Sequence, residues 1–267
     1  MVAPHLHYKI TDNFSKPVLM IVHGLFGSLD NWQSLAKKWS ESFRVISVDV
    51  RNHGRSFHSD DMKFESLVND LYCIIGHENV KKLHLLGHSM GGKIAMEFAA
   101  IYPDIIDRLI IVDVAPYPYP PHHTEVFDML QAIDLSSLSS RVEIEKEVRN
   151  RIDNESVIQF MMKNIRRNEI SLTFEWKFNL SVLSRDYLYL IQRLPSQGFN
   201  GHTLFIGGEE SKYITKETSL YLFDLYPTAV LEYVANAGHW VHADNPSEFY
   251  DKVTSFINQD QNKNVSI

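Results

Sequence analysis

The chain has 267 residues, 44% of them apolar and 22% charged, which excludes a disordered or membrane-embedded class and suits one large domain or a domain carrying an insertion. Its formal charge of −7 disfavours non-specific binding to nucleic acid or an anionic membrane, although a local basic patch escapes that argument. The single cysteine, Cys73, cannot close an intrachain disulfide and is expected as a buried helical thiol; the 13 histidines are scattered without a CxxC or HExxH pattern, so no metal site is expected.

The leading stretch MVAPHLHYKITDN lacks the apolar run of a signal peptide, and no later run approaches the roughly 18 residues of a membrane span. The expectation is a cytoplasmic protein without stable membrane insertion. From Pro17 to Tyr102, short apolar runs alternate with segments of helical period, the pattern of a parallel sheet with crossover helices. The predicted strands are PVLMIVHG, FRVISVDV, LHLLGHS and RLIIVDVAP, apolar without alternation and therefore buried on both faces. The predicted helices are DNWQSLAKKWSESF, with Asp30 as N-cap, and MKFESLVNDLYCIIG. PYPYPPHH is too rich in proline for either and marks a boundary.

Helical period then dominates EVFDMLQAID, RVEIEKEVRNRI, SVIQFMMKNIRR and SRDYLYLIQRL, while EISLTFEWKFNL is ambiguous. Alternation returns with the strand HTLFIGG, the helix TKETSLYLFDLYP, the strand AVLEYVANAG and the helix PSEFYDKVTSFI. The expected organisation is an α/β core domain of residues 1–115 and 199–258, interrupted by a helical cap at 116–198 and followed by a frayed polar tail at 259–267.

Gly87-His88-Ser89-Met90-Gly91 lies between an apolar strand and a helix, which is the context a G-x-S-x-G nucleophile turn requires. A sharp turn would lift Ser89 above the sheet, with glycines at 87, 91 and 92 letting neighbouring backbone pass. His88 is expected to pack rather than act. An acyl oxyanion needs two preorganised N–H donors. Met90 supplies one; the loop His23-Gly24-Leu25-Phe26-Gly27 supplies the other, from Leu25 first and Phe26 as alternative. Asp49 and His53, in DVRNHGRS, precede Ser89 and are expected to brace it.

His239, in Ala237-Gly238-His239-Trp240 after a late strand, is the expected base, and His242 is expected to support the site or lie on the surface. The acid must project from the same sheet edge. Asp113 ends an apolar strand, follows Ser89 and precedes His239; Glu209 and Glu210, in LFIGGEESKYI, are the alternatives.

Together HGLFGSLDNW, DVRNHGRS, GHSMGGKIAM, IVDVAP and GHWVHAD resemble the YbfF-type esterases of the α/β-hydrolase superfamily over nearly the whole chain, least in the insertion. The resemblance implies the α/β-hydrolase fold, a serine esterase or thioesterase acting on small-molecule acyl esters with acyl-CoA thioesters among the substrates, no cofactor, and an acid at the position of Asp113. Phe26, Phe127, Phe160, Trp176 and Trp240 are candidate substrate contacts, and Met129, Met161, Met162, Phe174 and Phe178 could also line an acyl channel. The basic stretch Lys163-Asn164-Ile165-Arg166-Arg167 reads as a solvated helix end rather than a contact for a CoA phosphate. An acyltransferase using the same acyl-enzyme, or a ligand receptor on the same fold, are the competing functions. Ser89 in place of a carboxylate excludes a dehalogenase.

Overall fold

A computed structural model describes residues 5–11, 13–121, 123–192, 194, 198–215, 219 and 222–259. Among them, seven strands form one sheet in the order β1-β3-β2-β4-β5-β8-β9: β1 (Tyr8–Ile10), β2 (Val18–Val22), β3 (Arg44–Val48), β4 (Leu83–His88), β5 (Ile106–Val112), β8 (Thr203–Gly208) and β9 (Ala229–Val234). All pairs are parallel except β1 with β3. Strands β2, β3, β4 and β8 are buried at every position, as their unbroken apolar runs require. The edge strand β1 has no counterpart among the predicted strands; three residues, two half-buried and one exposed, give too short a period to read.

Alternate strand residues feed two cores. Leu19, Ile21, Leu86, Ile110 and Val112 pack with α1 (Gln33–Trp39) and the C-terminal helix Pro246–Asn258, whereas Met20, Val22, Leu85, Leu109 and Ile111 pack with α2 (Phe64–His77) and α3 (Met90–Ile101). Register aligns the carboxyl ends of the strands: Val22 pairs with Gly87, His88 with Val112, Val112 with Ile206 and Gly208 with Val234. The loops leaving β2, β4, β5, β8 and β9 therefore converge on one edge, where ligands of such sheets bind.

Between β5 and β8 the chain carries α4 (Thr124–Gln131), α5 (Arg141–Arg149), α6 (Glu155–Lys163), the antiparallel hairpin β6 (Ile165–Arg167) with β7 (Phe174–Trp176), and α7 (Leu180–Ile191). Ser140, Asn154 and Asn179 cap α5, α6 and α7 by accepting the N–H of Glu143, Val157 and Val182. The buried faces of these helices join the core cluster on the α2–α3 side of the sheet.

Several expectations are corrected. The run SVIQFMMKNIRR ends as helix at Lys163, because Ile165 pairs with Trp176 and Arg166 bonds Glu175 across the hairpin at 2.7 Å. The ambiguous EISLTFEWKFNL is the rest of that hairpin and the start of α7. Asp30 caps nothing: it lies inside the 3-10 turn Leu29–Trp32, for which Ser28 is the N-cap, and faces Lys9, Arg55 and Lys177. Cys73 is half-buried on a flank of α2, not enclosed. Of TKETSLYLFDLYP, Leu222–Leu225 is helical and residues 216–218, 220 and 221 lie outside the described residues, as do 260–267 of the expected frayed tail. No helix of the described residues is long and apolar enough to cross a membrane.

Candidate active site

Ser89 stands between β4 and α3 with φ 52° and ψ −119°, a conformation that L residues adopt only when their surroundings impose it. The surroundings are tight. A Cβ on Gly87 would lie 2.2 Å from the Gly91 carbonyl oxygen, and one on Gly91 would lie 2.4 Å from those of Val22 and His23. Ser89 N–H donates to the Val112 carbonyl at 3.0 Å, tying the turn to β5. Met90, the first residue of α3, has an N–H without an intrahelical acceptor.

The loop after β2 approaches from the other side. A Cβ on Gly24 would meet His88 Nδ1 at 2.8 Å and Ser89 Cβ at 3.1 Å, so this glycine is what lets the loop reach Ser89. Gly27 N–H donates to the Gly24 carbonyl, and Phe26 takes φ 60°. Asp49, fully buried, holds the loop by accepting the N–H groups of Leu29 and Arg55 at 2.7 and 3.0 Å. His23 accepts the Val50 N–H on Nε2 at 3.0 Å and so donates from Nδ1 to the Gly24 carbonyl at 2.8 Å.

Asp113 is the first residue beyond β5, fully buried and at φ 50°. Its Oδ2 lies 2.7 Å from His239 Nδ1 and accepts the Ser211 hydroxyl at 2.5 Å, while Oδ1 faces the Gly208 N–H at 3.4 Å. With Nδ1 donating to the carboxylate, Nε2 of neutral His239 is left as an acceptor. The imidazole is held at two further points: Tyr213 stacks on it at 4.1 Å with 19° between planes, and the His239 carbonyl accepts from His88 Nε2 at 2.9 Å. Glu209 and Glu210 are exposed and contribute only backbone N–H groups, to Val234 and Ala237.

Ser89 and His239 open into one cavity, lined mostly by apolar side chains with a few polar groups, as small-molecule sites are. Of the expected contacts, Leu25, Phe26, Met90, Phe160, Met161 and Trp240 line it. Phe127 and Trp176 do not: Phe127 packs edge-on behind Phe26 at 5.0 Å, and Trp176 stacks on Phe178 at 5.4 Å, so both support the wall instead of forming it. His242 is buried, not on the surface; it stacks on Trp32 at 4.0 Å, and burial holds its pKa down to about 3. His88 is buried and held well below the usual histidine range by desolvation. Among the described residues no group of three or more His, Cys, Asp or Glu is gathered to hold a metal ion.

A family model described as the alpha/beta hydrolase fold matches residues 17–246. The chain belongs to the α/β-hydrolase family. It is similar to Esterase YbfF of Escherichia coli, with 33% identity over 90% of this chain and 92% of that one, and its type within the family is YbfF-like. It is also similar to sn-1-specific diacylglycerol lipase ABHD11 of mouse, with 35% identity over 94% of this chain and 85% of that one. A solved structure described as a marine microorganism esterase superposes with a TM-score of 0.91 at 36% identity, covering 95% of this chain and all of that one.

The residue pattern alone gave no sign of several groups that the fold brings to the cavity or to Asp113 behind it. Ser211 and Tyr213 sit in the stretch LFIGGEESKYI, where carboxylates attracted attention and a serine or tyrosine had no local signal. Lys93, only 2% exposed, is another: its ammonium donates to the carbonyls of Tyr117, Ile191 and Gln192. The motif GHSMGGK contained it, but its acceptors lie far along the chain.

Proposed function

We propose that the protein is a serine esterase that hydrolyses esters of apolar acyl chains through an acyl-enzyme on Ser89. The observation that carries this reading is the 2.7 Å Asp113–His239 pair, whose imidazole opens with the strained Ser89 into one largely apolar cavity. Ser89 Oγ attacks the acyl carbonyl and passes its proton to His239 Nε2. Asp113 stabilises the imidazolium, and the Ser211 hydroxyl supports the Asp113 carboxylate. The N–H groups of Leu25 and Met90 receive the oxyanion. His239 then protonates the leaving alcohol, and a water activated by the same imidazole releases the acid.

Residues 116–198 act as a lid in this reading, with Val157, Phe160 and Met161 of α6 and Leu190 of α7 forming the apolar roof over Ser89. Esterases and a diacylglycerol lipase among the relatives support ester substrates of lipid character. Thioesters, acyl-CoAs included, fit the same acyl transfer, because the attacked carbonyl and its oxyanion are alike.

The test is turnover of acyl esters and acyl-CoAs of graded chain length by wild type and Ser89→Ala, with labelling of Ser89 by a serine-directed phosphonate. Turnover by wild type alone, with labelling, is expected. Absence of both activity and label in the wild type would reject the enzyme reading.

A further inference from the structure

The hairpin β6–β7 ends in a turn, residues 168–173, that presents two large aliphatic side chains to solvent. Ile170 is 95% and Leu172 60% exposed. The turn is held by its own bonds. Asn168 Oδ1 accepts the N–H groups of Ile170 and Ser171 at 2.9 and 3.0 Å, Asn168 N–H donates to the Thr173 carbonyl, and Arg167 Nε donates to the Leu172 carbonyl at 2.9 Å. Leu172 is kept at φ 60°, a position that Asn or Gly would take with less strain. A rigid turn thus displays apolar surface at a backbone cost.

Basic groups flank it. Residues 163–177 carry Lys163, Arg166, Arg167 and Lys177 against Glu169 and Glu175, a local charge of +2 in a chain of −7; Arg166 pairs with Glu175 and Lys177 faces Asp30, which leaves Lys163 and Arg167 against Glu169. The hairpin also extends directly from α6, whose Val157, Phe160 and Met161 wall the cavity, and Arg166 anchors it to the Gly54 carbonyl of the core at 3.2 Å.

We infer that this hairpin tip docks the enzyme on an anionic lipid surface, with Ile170 and Leu172 entering the headgroup–acyl boundary and Lys163 and Arg167 facing the headgroups. Apolar insertion flanked by cations is the chemistry of interfacial attachment. Two side chains on one loop cover far less than the about 800 Å² per partner that a stable protein interface needs. The negative charge of the rest of the molecule turns other faces away from such a surface and so orients the docking. The consequence for catalysis, delivery of lipid acyl esters beside α6, rests on the esterase reading above; the docking itself does not.

The full chain is sedimented with vesicles of phosphatidylcholine, with and without phosphatidylglycerol, beside the double variant Ile170→Asp, Leu172→Asn. Both positions are exposed and Asn accepts the left-handed conformation, so folding is retained. Wild type is expected to pellet with the phosphatidylglycerol vesicles and to be released by salt. The variant should lose at least about tenfold in partitioning while turning over a soluble monomeric ester at the wild-type rate. Ser89→Ala should bind as wild type does, which separates failure of docking from failure of the catalytic reading. Wild type remaining in the supernatant, or the variant binding equally, overturns the inference. So does loss of a wild-type dimer in the variant without any vesicle binding, which would make the tip a contact between copies.

Discussion

Three residues of the proposed machinery, Phe26, Ser89 and Asp113, have left-handed backbone without being glycine. Such conformations cost on the order of 1–3 kcal/mol each and persist only where the surroundings over-determine them. What over-determines them here is close approach, and Gly24 is where the loop after β2 meets Ser89: a Cβ there would lie 2.8 Å from His88 Nδ1 and 3.1 Å from Ser89 Cβ. Gly24→Ala should push the oxyanion loop off Ser89 and lower kcat by about 10²-fold, as loss of an oxyanion donor does; an unchanged kcat in a stable variant would show that the loop donates nothing. The acid is separable in the same way. Asp113→Asn should lower kcat by about 10²- to 10⁴-fold, with Glu210→Gln near wild type because its side chain is exposed. A larger loss for Glu210→Gln in steady-state turnover of a soluble ester would move the acid to the loop after β8. Ser211→Ala should fall between the two, since it removes one hydrogen bond to Asp113 and leaves the carboxylate in place.

At the scale of elements, α3 does more than carry Ser89. Lys93, one turn into the helix, reaches the Tyr117 carbonyl where the chain leaves the core and the Ile191 and Gln192 carbonyls where it returns. One buried amine, whose pKa desolvation lowers to about 7, therefore ties both ends of the proposed lid to the nucleophile helix. Lys93→Met keeps the length but removes the shared donor of three partly buried carbonyl contacts, and should cost about 1–3 kcal/mol, the range for lost hydrogen bonds to a charged or buried donor. Denaturant unfolding gives the total, and hydrogen exchange at residues 117–119 and 191–192 should show where it is lost. Uniform loss of protection across the sheet, with none at these two junctions, would rule out a clasp.

On the scale of the whole molecule, the carboxyl edge of the sheet is built on neutral histidines. Burial holds His23 down to about 4 and His53 and His242 down to about 3, and His88 also lies well below its ordinary range. A depressed histidine pKa means that the unfolded chain binds more protons than the folded one between the folded value and about 6.5. Stability therefore rises with pH through that window and is lost as pH falls through it. At about pH 5 each such histidine costs about 2 kcal/mol relative to neutral pH, so midpoints of urea unfolding should drop steeply from pH 7 to pH 5. His242→Phe, which keeps a ring against Trp32, should flatten the decline. Equal slopes for wild type and variant would mean that carboxylates, not these histidines, set the acid limit.

The sequence alone carried the parallel core strands, because unbroken apolar runs have one physical use in a sheet buried on both faces. It also carried Ser89, Asp113 and His239 as candidates, because chain order and strand ends constrain where a nucleophile, acid and base can stand. Left undecided were groups whose partners are remote. Ser211 reaches Asp113 across 98 positions and Lys93 bonds carbonyls up to 99 positions away. Such contacts leave no local period. The β6–β7 hairpin was likewise hidden, since its strands of three residues are too short to alternate, and cross-chain pairing ends α6 where helical period would have continued it. Local pattern thus determined which segments become strands and which residue types can react. Only the register of the folded sheet decided which of them meet, because proximity at one sheet edge is a property of strand order in space and not of neighbourhood along the chain.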